Sequence, residues 1–470
     1  MKKTGLFKII MFMLLGVVVV TWLVGASYFE SGELSKLGMY RIGFFDFFQL
    51  LIGAYEFSYF LQILIFLVSA GALYGVLGKT GKYRALIDKI SSKLRGKEFI
   101  FVTIIAVLIA AITSVFDYGL LLFIFLPAII SIILAIGYDK IVAFLTTFGA
   151  MLIGVMGSTI SYNITGVINE QLSITSLTTG LYYKLGIFVF ALIALIFYLY
   201  KAKIKPIKKG EDKAEDTEEK DMFLGEKISN KYSVVPIIVI FSILFILLIL
   251  GCTNWETTFG VAAFTNMNTA VTEFTIKDFA IFANLFGTIS AFGKWYYAEM
   301  AVMCLLSALL LGRFYRMKHS ETFKYMTDGA KKMMGPAMLV VLAYVVVYFA
   351  GNTMFFPTIA DFLINATSKF NVFFSSLIVI LGSVVHVDIL YLANYVIPQL
   401  AAQDISSTII AILVQSLYGV TMFVAPTSIA LVLGLSYLEI PYLEWIKKTW
   451  KLAVALLVIA MAAIILVMVI

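Results

Sequence analysis

The sequence predicts an all-α polytopic membrane protein: two inverted repeats, about nine transmembrane helices, two re-entrant hairpins and two broken helices. Three observations predict it. The chain is 61% hydrophobic and only 13% charged, too little charge to clothe the surface of a soluble protein this long. Apolar windows of about 18 residues or more, enough to cross a bilayer as helix, recur from end to end. Polar interruptions recur in the same order in both halves.

The other bulk properties narrow the function classes. The net charge of +7 does not point to nucleic acid, because most Lys and Arg lie in short loops, where they set orientation. Cys252 and Cys304 are the two cysteines. Cys304 falls within a span, so neither a disulfide nor a cysteine metal site is expected. Residues 7–25 are too long for a signal peptide and lack a small-x-small cleavage pattern, so they are expected to stay as the first span. Asn365-Ala-Thr367 matches a glycosylation sequon, a tripeptide common by chance.

The expected spans are 7–25, 58–77, 141–165, 183–200, 233–251, 296–312, 336–350, 405–431 and 452–470. Two further apolar blocks, 99–137 and 373–401, each fit either two full spans or one re-entrant hairpin. Both choices give the same sidedness. Loop 78–98 carries seven basic residues, among them Lys79, Lys82, Arg84 and Lys93. Loop 313–335 carries Arg313, Arg316, Lys318, Lys324, Lys331 and Lys332. Both fall on one face with the N-terminus and the linker 201–232. The positive-inside rule makes that face cytoplasmic and puts the C-terminus outside, in a cell membrane. The linker, rich in both signs, is expected to stay unburied and to separate a first half (1–200) from a second (233–470). The segments 43–57 and 320–335 precede equivalent spans and are expected as in-plane helices.

The repeat shows in the spacing. Asp117 precedes Pro127 by the interval that separates Asp388 from Pro398. Asp139 to Gly154 matches Asp404 to Gly419, and Gly154 to Asn163 matches Gly419 to Ser428. Gly78-Lys79-Thr80 and Gly351-Asn352-Thr353 close the preceding spans. Sidedness puts the two copies in opposite orientations, the arrangement of secondary transporters, whose substrate site lies at mid-membrane among broken helices.

The candidate site residues sit at the breaks. In "ITSVFDYG", Thr113, Ser114 and Asp117 interrupt an apolar block. A charged residue at the bilayer centre costs ~3 kcal/mol on insertion scales, so it persists where it meets water, a partner or a substrate. Asp117 could equally cap the second arm of the hairpin. In "GSVVHVDIL", Ser383, His386 and Asp388 hold the corresponding position, and His386 could bond Asp388, carry a proton or simply pack. "GSTISYNITG" adds Ser161, Asn163 and Thr165. "FVAPTSIA" adds Pro426, which breaks its helix, then Thr427 and Ser428. Unwound backbone at these depths must line a cavity or be satisfied by protein, and half-helix ends there serve ions and polar solutes. No metal site is expected, because no second histidine or ligand cluster has suitable spacing.

The segments "LYGVLGKTGKYRALIDKI", "LPAIISIILAIGYDKIV", "DGAKKMMGPAML" and "APTSIALVLGLSYLEIPYLEWIKKTW" resemble the YfcC-like transporters, grouped with the anaerobic C4-dicarboxylate carriers in the wider ion transporter superfamily. The likeness runs over residues 43–200 and 295–455. It implies a homodimer whose subunits hold a scaffold and a mobile transport domain. Its members are described as carriers of basic amino acids such as arginine and ornithine, or of dicarboxylates and peptide-like acids. The chain departs from the family at three places. The family's paired glutamates fall near Leu120 and Leu121, with Asp117 the nearest acid. The small Pro-Ser-Gly-Ser-Gly-type turn is replaced by Ser383–Asp388. The usual Asn-Pro of the first broken helix is Asn163-Ile164.

The expected function is secondary active transport of a small organic solute. Two acids at the hairpin tips and no Lys or Arg within the hairpins favour a basic amino acid. Alternatively the acids hold a coupling Na+ or H+ and the substrate is a C4-dicarboxylate or other organic anion. No cofactor is expected, and without a nucleotide-binding loop ATP is not the energy source. Two rivals from other classes are an enzyme acting on lipid-linked substrates, which would need a nucleophile or base cluster, and a channel.

Overall fold

The structure, a computed structural model, describes residues 5–30, 32–201, 221–225, 232–277, 279–287, 289–367 and 370–469. The first half holds α1 (Gly5–Leu23), the ribbon β1–β2 (Ala26–Glu30, Glu33–Gly38), α2 (Phe44–Glu56), α3 (Ser58–Lys79) and α4 (Lys82–Lys93). Then follow α5 (Glu98–Phe116), α6 (Leu126–Ala135), α7 (Lys140–Met156), α8 (Val167–Gln171) and α9 (Leu181–Tyr200). The second half opens with α10 (Val235–Cys252), then α11 (Trp255–Phe259), α12 (Ala263–Thr272), the ribbon β3–β4 (Thr275–Ile276, Phe279–Ala280) and α13 (Ile281–Phe286). It continues with α14 (Tyr297–Phe314), α15 (His319–Thr353), α16 (Phe356–Ile364), α17 (Val372–Val385), α18 (Ile389–Ala401), α19 (Ser407–Val424), α20 (Ile429–Tyr437) and α21 (Tyr442–Val469).

Among the described residues, nine helices are long and apolar enough to cross a membrane, counting α19 with α20 as one. The set differs from the expected one at one place. The stretch 141–165 is not a single span: α7 stops at Met156, residues 157–161 are unwound, and a π-helical turn (Tyr162–Gly166) leads into α8. The first arm of the first block, α5, is long enough instead.

The two halves repeat one order of elements: a long helix, a short amphipathic helix, a hairpin, a broken helix and a closing helix. These are α3, α4, α5–α6, α7–α8 and α9, then α15, α16, α17–α18, α19–α20 and α21. Both apolar blocks fold back on themselves, and the arms of the second are too short to cross a bilayer. The arms α17 and α18 have 14 and 13 residues, roughly 20 Å each against a hydrocarbon layer of about 30 Å. They lie side by side, with Gly382 against Leu392 and Val396. In the first block, Tyr138 beyond α6 returns to within electrostatic reach of Glu98, where α5 begins. The hairpins enter from opposite faces, and α21 measures this. Its Lys448 lies 3.9 Å from Asp139 at the foot of the first hairpin, and its Met461 accepts from Ser376 near the foot of the second. Thirteen residues of helix separate those contacts, about 20 Å.

Packing divides the bundle. Helices α3, α14 and α15 form one body, with α1, α2 and α10 against it. The hairpins, broken helices, α9 and α21 form the other, and α20 of the second broken helix also packs closely on α15. The α3–α15 contact is very close. A Cβ on Gly75 would fall 2.2 Å from the Tyr325 carbonyl oxygen and 2.7 Å from Gly329 Cα. This explains a correction: residues 320–335 are not an in-plane helix. They form the first half of α15, whose 35 residues run continuously through Pro336, because the glycine contact holds them upright along α3. The segment 43–57 does hold a separate helix, α2, which exposes Phe44, Phe45, Phe48 and Ile52.

The linker brings a second correction. Residues 202–220 and 226–231 lie outside the described residues. Asp221, Phe223 and Leu224 between them are buried, although the linker as a whole reads as too charged to bury. The local run Met222-Phe223-Leu224 is apolar, and the carboxylate beside it is hydrogen-bonded.

Candidate functional site

The two hairpin tips carry the two intramembrane aspartates, and both are locally anchored in the same way. Asp117 ends α5 in the left-handed region, φ 45°, a conformation that Asp tolerates better than most residues. Its carboxylate accepts from the Gly119 N–H. Asp388 is the N-cap of α18, with Oδ1 accepting from Leu390 N–H at 3.0 Å. Each side chain thus secures the backbone two residues ahead. Both remain only half-buried, and they lie within Coulombic range of each other.

A wall of tyrosines faces them. Tyr59 from the first turn of α3 donates to Asp388 Oδ2 at 3.4 Å. Its ring stacks on Tyr296 at 6.3 Å and meets Tyr344 of α15 edge-on at 5.7 Å. Tyr297 of α14 packs against Tyr296 at 4.3 Å. Tyr418 of α19 donates to the Val387 carbonyl at 2.9 Å. Asp388 is in electrostatic reach of Tyr59, Tyr296, Tyr344 and Tyr418, and Asp117 of Tyr296, Tyr297 and Tyr418. Four of these rings come from the first body, whereas both carboxylates come from the second.

The broken helices close the site from behind. Ser114 Oγ donates to the Gly157 carbonyl at 2.7 Å, and Thr159 N–H returns a bond to the Ser114 carbonyl at 2.8 Å. Asn163 donates to the Asp117 carbonyl at 3.0 Å. Gln415 of α19 donates to the Ser158 carbonyl at 2.7 Å and accepts from Thr165 at 3.3 Å. The second break is served likewise. Thr427 donates to the Val384 carbonyl at 2.8 Å, and Tyr442 and Trp445 take the carbonyls of Val424 and Phe423. The unwound backbone beside Pro426 is therefore satisfied by protein, as membrane depth demands.

Four candidate hydroxyls, those of Thr113, Ser161, Ser383 and Ser428, are buried without a protein partner. Such oxygens suit a bound ion or solute, since an unpaired buried hydroxyl costs about 1–3 kcal/mol. Among the described residues, no group of three or more His, Cys, Asp and Glu could hold a metal ion.

The structure brings Thr113, Ser114, Asp117, Ser161, Asn163 and Thr165 together around the first tip, and Ser383, Asp388, Pro426, Thr427 and Ser428 around the second. His386 stands apart. Its ring is buried, stacked on Tyr395 at 4.8 Å and edge-on to Phe356 at 5.6 Å, with neither nitrogen hydrogen-bonded. The local bond to Asp388 does not form.

The sequence reasoning missed the tyrosines, Gln415 and Asn254. Asn254 follows α10 and donates to Asn163 Oδ1 at 3.2 Å, beside a Tyr118–Thr253 hydroxyl contact of 2.6 Å. Gln415 carried a signal, a lone amide in an apolar span. The adjacent Tyr296-Tyr297 pair carried a weaker one.

The family profile DcuC, C4-dicarboxylate anaerobic carrier, matches residues 4–469. A Haemophilus influenzae protein with no assigned role is 25% identical over 407 residues, 85% of this chain and 74% of its own length. Among solved structures, the YdaH transporter of Alcanivorax borkumensis is similar at 15% identity and TM-score 0.45, covering 98% of both chains. MtrF of Neisseria gonorrhoeae, described with a class of antimetabolite efflux pumps, is similar at 11% identity and TM-score 0.42, covering 98% of this chain and 94% of its own.

Proposed function

The chain belongs to the C4-dicarboxylate anaerobic carrier family and is a multi-pass membrane carrier rather than an enzyme; from that premise we propose that it moves a small organic cation, favouring a basic amino acid such as arginine or ornithine, by ion-coupled or exchange alternating access. One observation carries this choice. The Asp117–Asp388 pair faces a tyrosine wall, and neither hairpin contains a Lys or Arg. A dianion placed there would meet like charge, whereas an ammonium or guanidinium group would meet two carboxylates and electron-rich rings.

Transport follows from the two-body arrangement. Alternating access carries the tips and broken helices past the tyrosine-bearing body, exposing the site to each side in turn. The coupling ion is Na+ or H+. The partnerless hydroxyls of Thr113, Ser161, Ser383 and Ser428 offer neutral oxygens for Na+, and the half-buried carboxylates offer sites for protons. The face carrying the foot of the first hairpin, the 78–98 loop and the linker is cytoplasmic by its excess of Lys and Arg. A homodimer is the assembly that the resemblance implies.

A second reading is favoured by the family description: an organic dianion, with the aspartates neutralised by the coupling ion. A thermal-shift screen of basic amino acids and C4-dicarboxylates, with and without Na+, separates the two. Stabilisation by arginine or ornithine supports the cation reading. Stabilisation by dicarboxylates alone, dependent on Na+ or low pH, replaces it with the second.

A further inference from the structure

Away from the substrate site, a five-residue piece of the linker docks between the two bodies. Lys332 of α15 donates to the Met222 carbonyl at 2.6 Å, and Arg84 of α4 donates to the Gly225 carbonyl at 3.3 Å. From the far side, the Tyr437 hydroxyl at the end of α20 donates to Asp221 Oδ2, and Asp221 Oδ1 accepts from Phe223 N–H at 2.9 Å. The Phe223 ring lies between the bodies, 5.5 Å from Tyr74 of α3 and 6.2 Å from Tyr437, with the Lys332 ammonium 5.5 Å above it. Tyr437 in turn packs edge-on against Phe123, just past the first hairpin tip, at 5.4 Å.

The fit leaves no slack. A Cβ on Gly78 would sit 2.6 Å from the Phe223 carbonyl oxygen, and one on Gly225 would sit 2.1 Å from the Gly78 oxygen. Gly225 also has φ +64°, which favours glycine. Backbone meets backbone here, with a buried carboxylate satisfied at both oxygens.

We propose that Asp221–Gly225 is a strap that holds the α3–α15 body and the hairpin-bearing body in one relative position, so that it must release before the transport bundle moves. Tyr74 and Lys332 ride on α3 and α15, and Tyr437 and Phe123 on α20 and the first hairpin. Any displacement of α20 and the first hairpin against α3 and α15 therefore pulls the Phe223 ring out of its slot. The strap makes the linker a brake on alternating access and gives it a function apart from joining the two halves.

The test needs no substrate. Nitroxide labels are placed at K324C on α15 and K447C on α21, both exposed, with Cys252 and Cys304 replaced by Ser. The labelled full-length carrier, diluted with unlabelled protein, is reconstituted in nanodiscs of phosphatidylethanolamine and phosphatidylglycerol, and the distance distribution is recorded by pulsed electron resonance. The strap predicts one dominant distance, and F223A raises the minor population roughly tenfold. D221A, which removes both acceptor oxygens, shifts it in the same direction and decides the matter if F223A does not fold. Cross-linking M222C to K332C must collapse the distribution onto the dominant distance. An unchanged distribution in both release variants, or a cross-linked carrier that still samples the second distance, overturns the proposal. These outcomes stand whether or not the solute is a cation.

Discussion

The Tyr59 hydroxyl donates to Asp388 Oδ2 at 3.4 Å, across 329 residues of chain. Tyr59 belongs to the body built on α3 and α15, and Asp388 to the tip of the second hairpin. The contact joins α3 to the second hairpin, across the boundary that the proposed alternating access would shift, at the place where the solute is proposed to bind. It ties recognition to motion, because a cation bound at Asp388 competes with the hydroxyl that holds the tip.

Tyr59→Phe keeps the ring and removes that hydroxyl. A hydrogen bond to a charged acceptor contributes about 1.5–3 kcal/mol when fully formed, and this long one sits at the lower end. The expected result is an apparent KM changed by about tenfold or less with the protein folded. An unchanged KM and transport rate would remove Tyr59 from the site.

His386→Phe should leave transport within about twofold, because the ring already packs on Tyr395 and Phe356 and a volume-conserving aromatic exchange is tolerated. Uptake measured from pH 5 to pH 8 checks this. Loss of transport, or loss of its pH dependence in the variant alone, would make His386 a proton carrier.

Gly75→Leu should destabilise the bundle, because Tyr325 and Gly329 backbone atoms occupy the space. Overpacking of this kind costs about 1–3 kcal/mol or more. The melting temperature in detergent should fall by several degrees, whereas Gly186→Ala, with nothing near its Cβ, should leave it unchanged.

Docking of the strap should depend on pH. Burial pushes the Asp221 carboxyl up from its ordinary 3.8 to about 6, against opposing bonds from Tyr437, Phe223 N–H and Ser131 and the charge of Lys332, with Tyr83 and Tyr74 also facing it. The docked pKa is the higher one, so protonation favours docking. That contribution is complete below the undocked value and is lost as pH rises through about 6. The dominant distance between labels at 324 and 447 should therefore gain population at pH 5 relative to pH 8, and D221N should lose the difference.

Much of the fold was legible in the sequence because lipid enforces simple rules. Helix number and the repeat follow from apolar length, matched spacing and basic loops, whereas each apolar block fitted a hairpin or two full spans alike. What escaped depended on contacts between distant segments. Residues 320–335 look amphipathic, and only the Gly75–Gly329 contact makes them part of α15. The linker's charge hid the apolar Met222–Leu224 run. The aspartates stood out because charge is rare in membrane spans. The tyrosines did not, since 25 tyrosines are scattered through the chain and only folding gathers five at the tips. His386 drew notice by its rarity, and in the structure its ring stacks on Tyr395 and meets Phe356 edge-on.

The most direct test of the central claim compares wild type, Asp117→Asn and Asp388→Asn, purified and reconstituted in proteoliposomes, for arginine and ornithine binding by thermal shift and for counterflow uptake. The account predicts stabilisation and uptake in the wild type, with most of both lost in each variant while the ligand-free proteins remain folded. Full binding and transport by both variants, or a wild type that responds to dicarboxylates and not to basic amino acids, would contradict it.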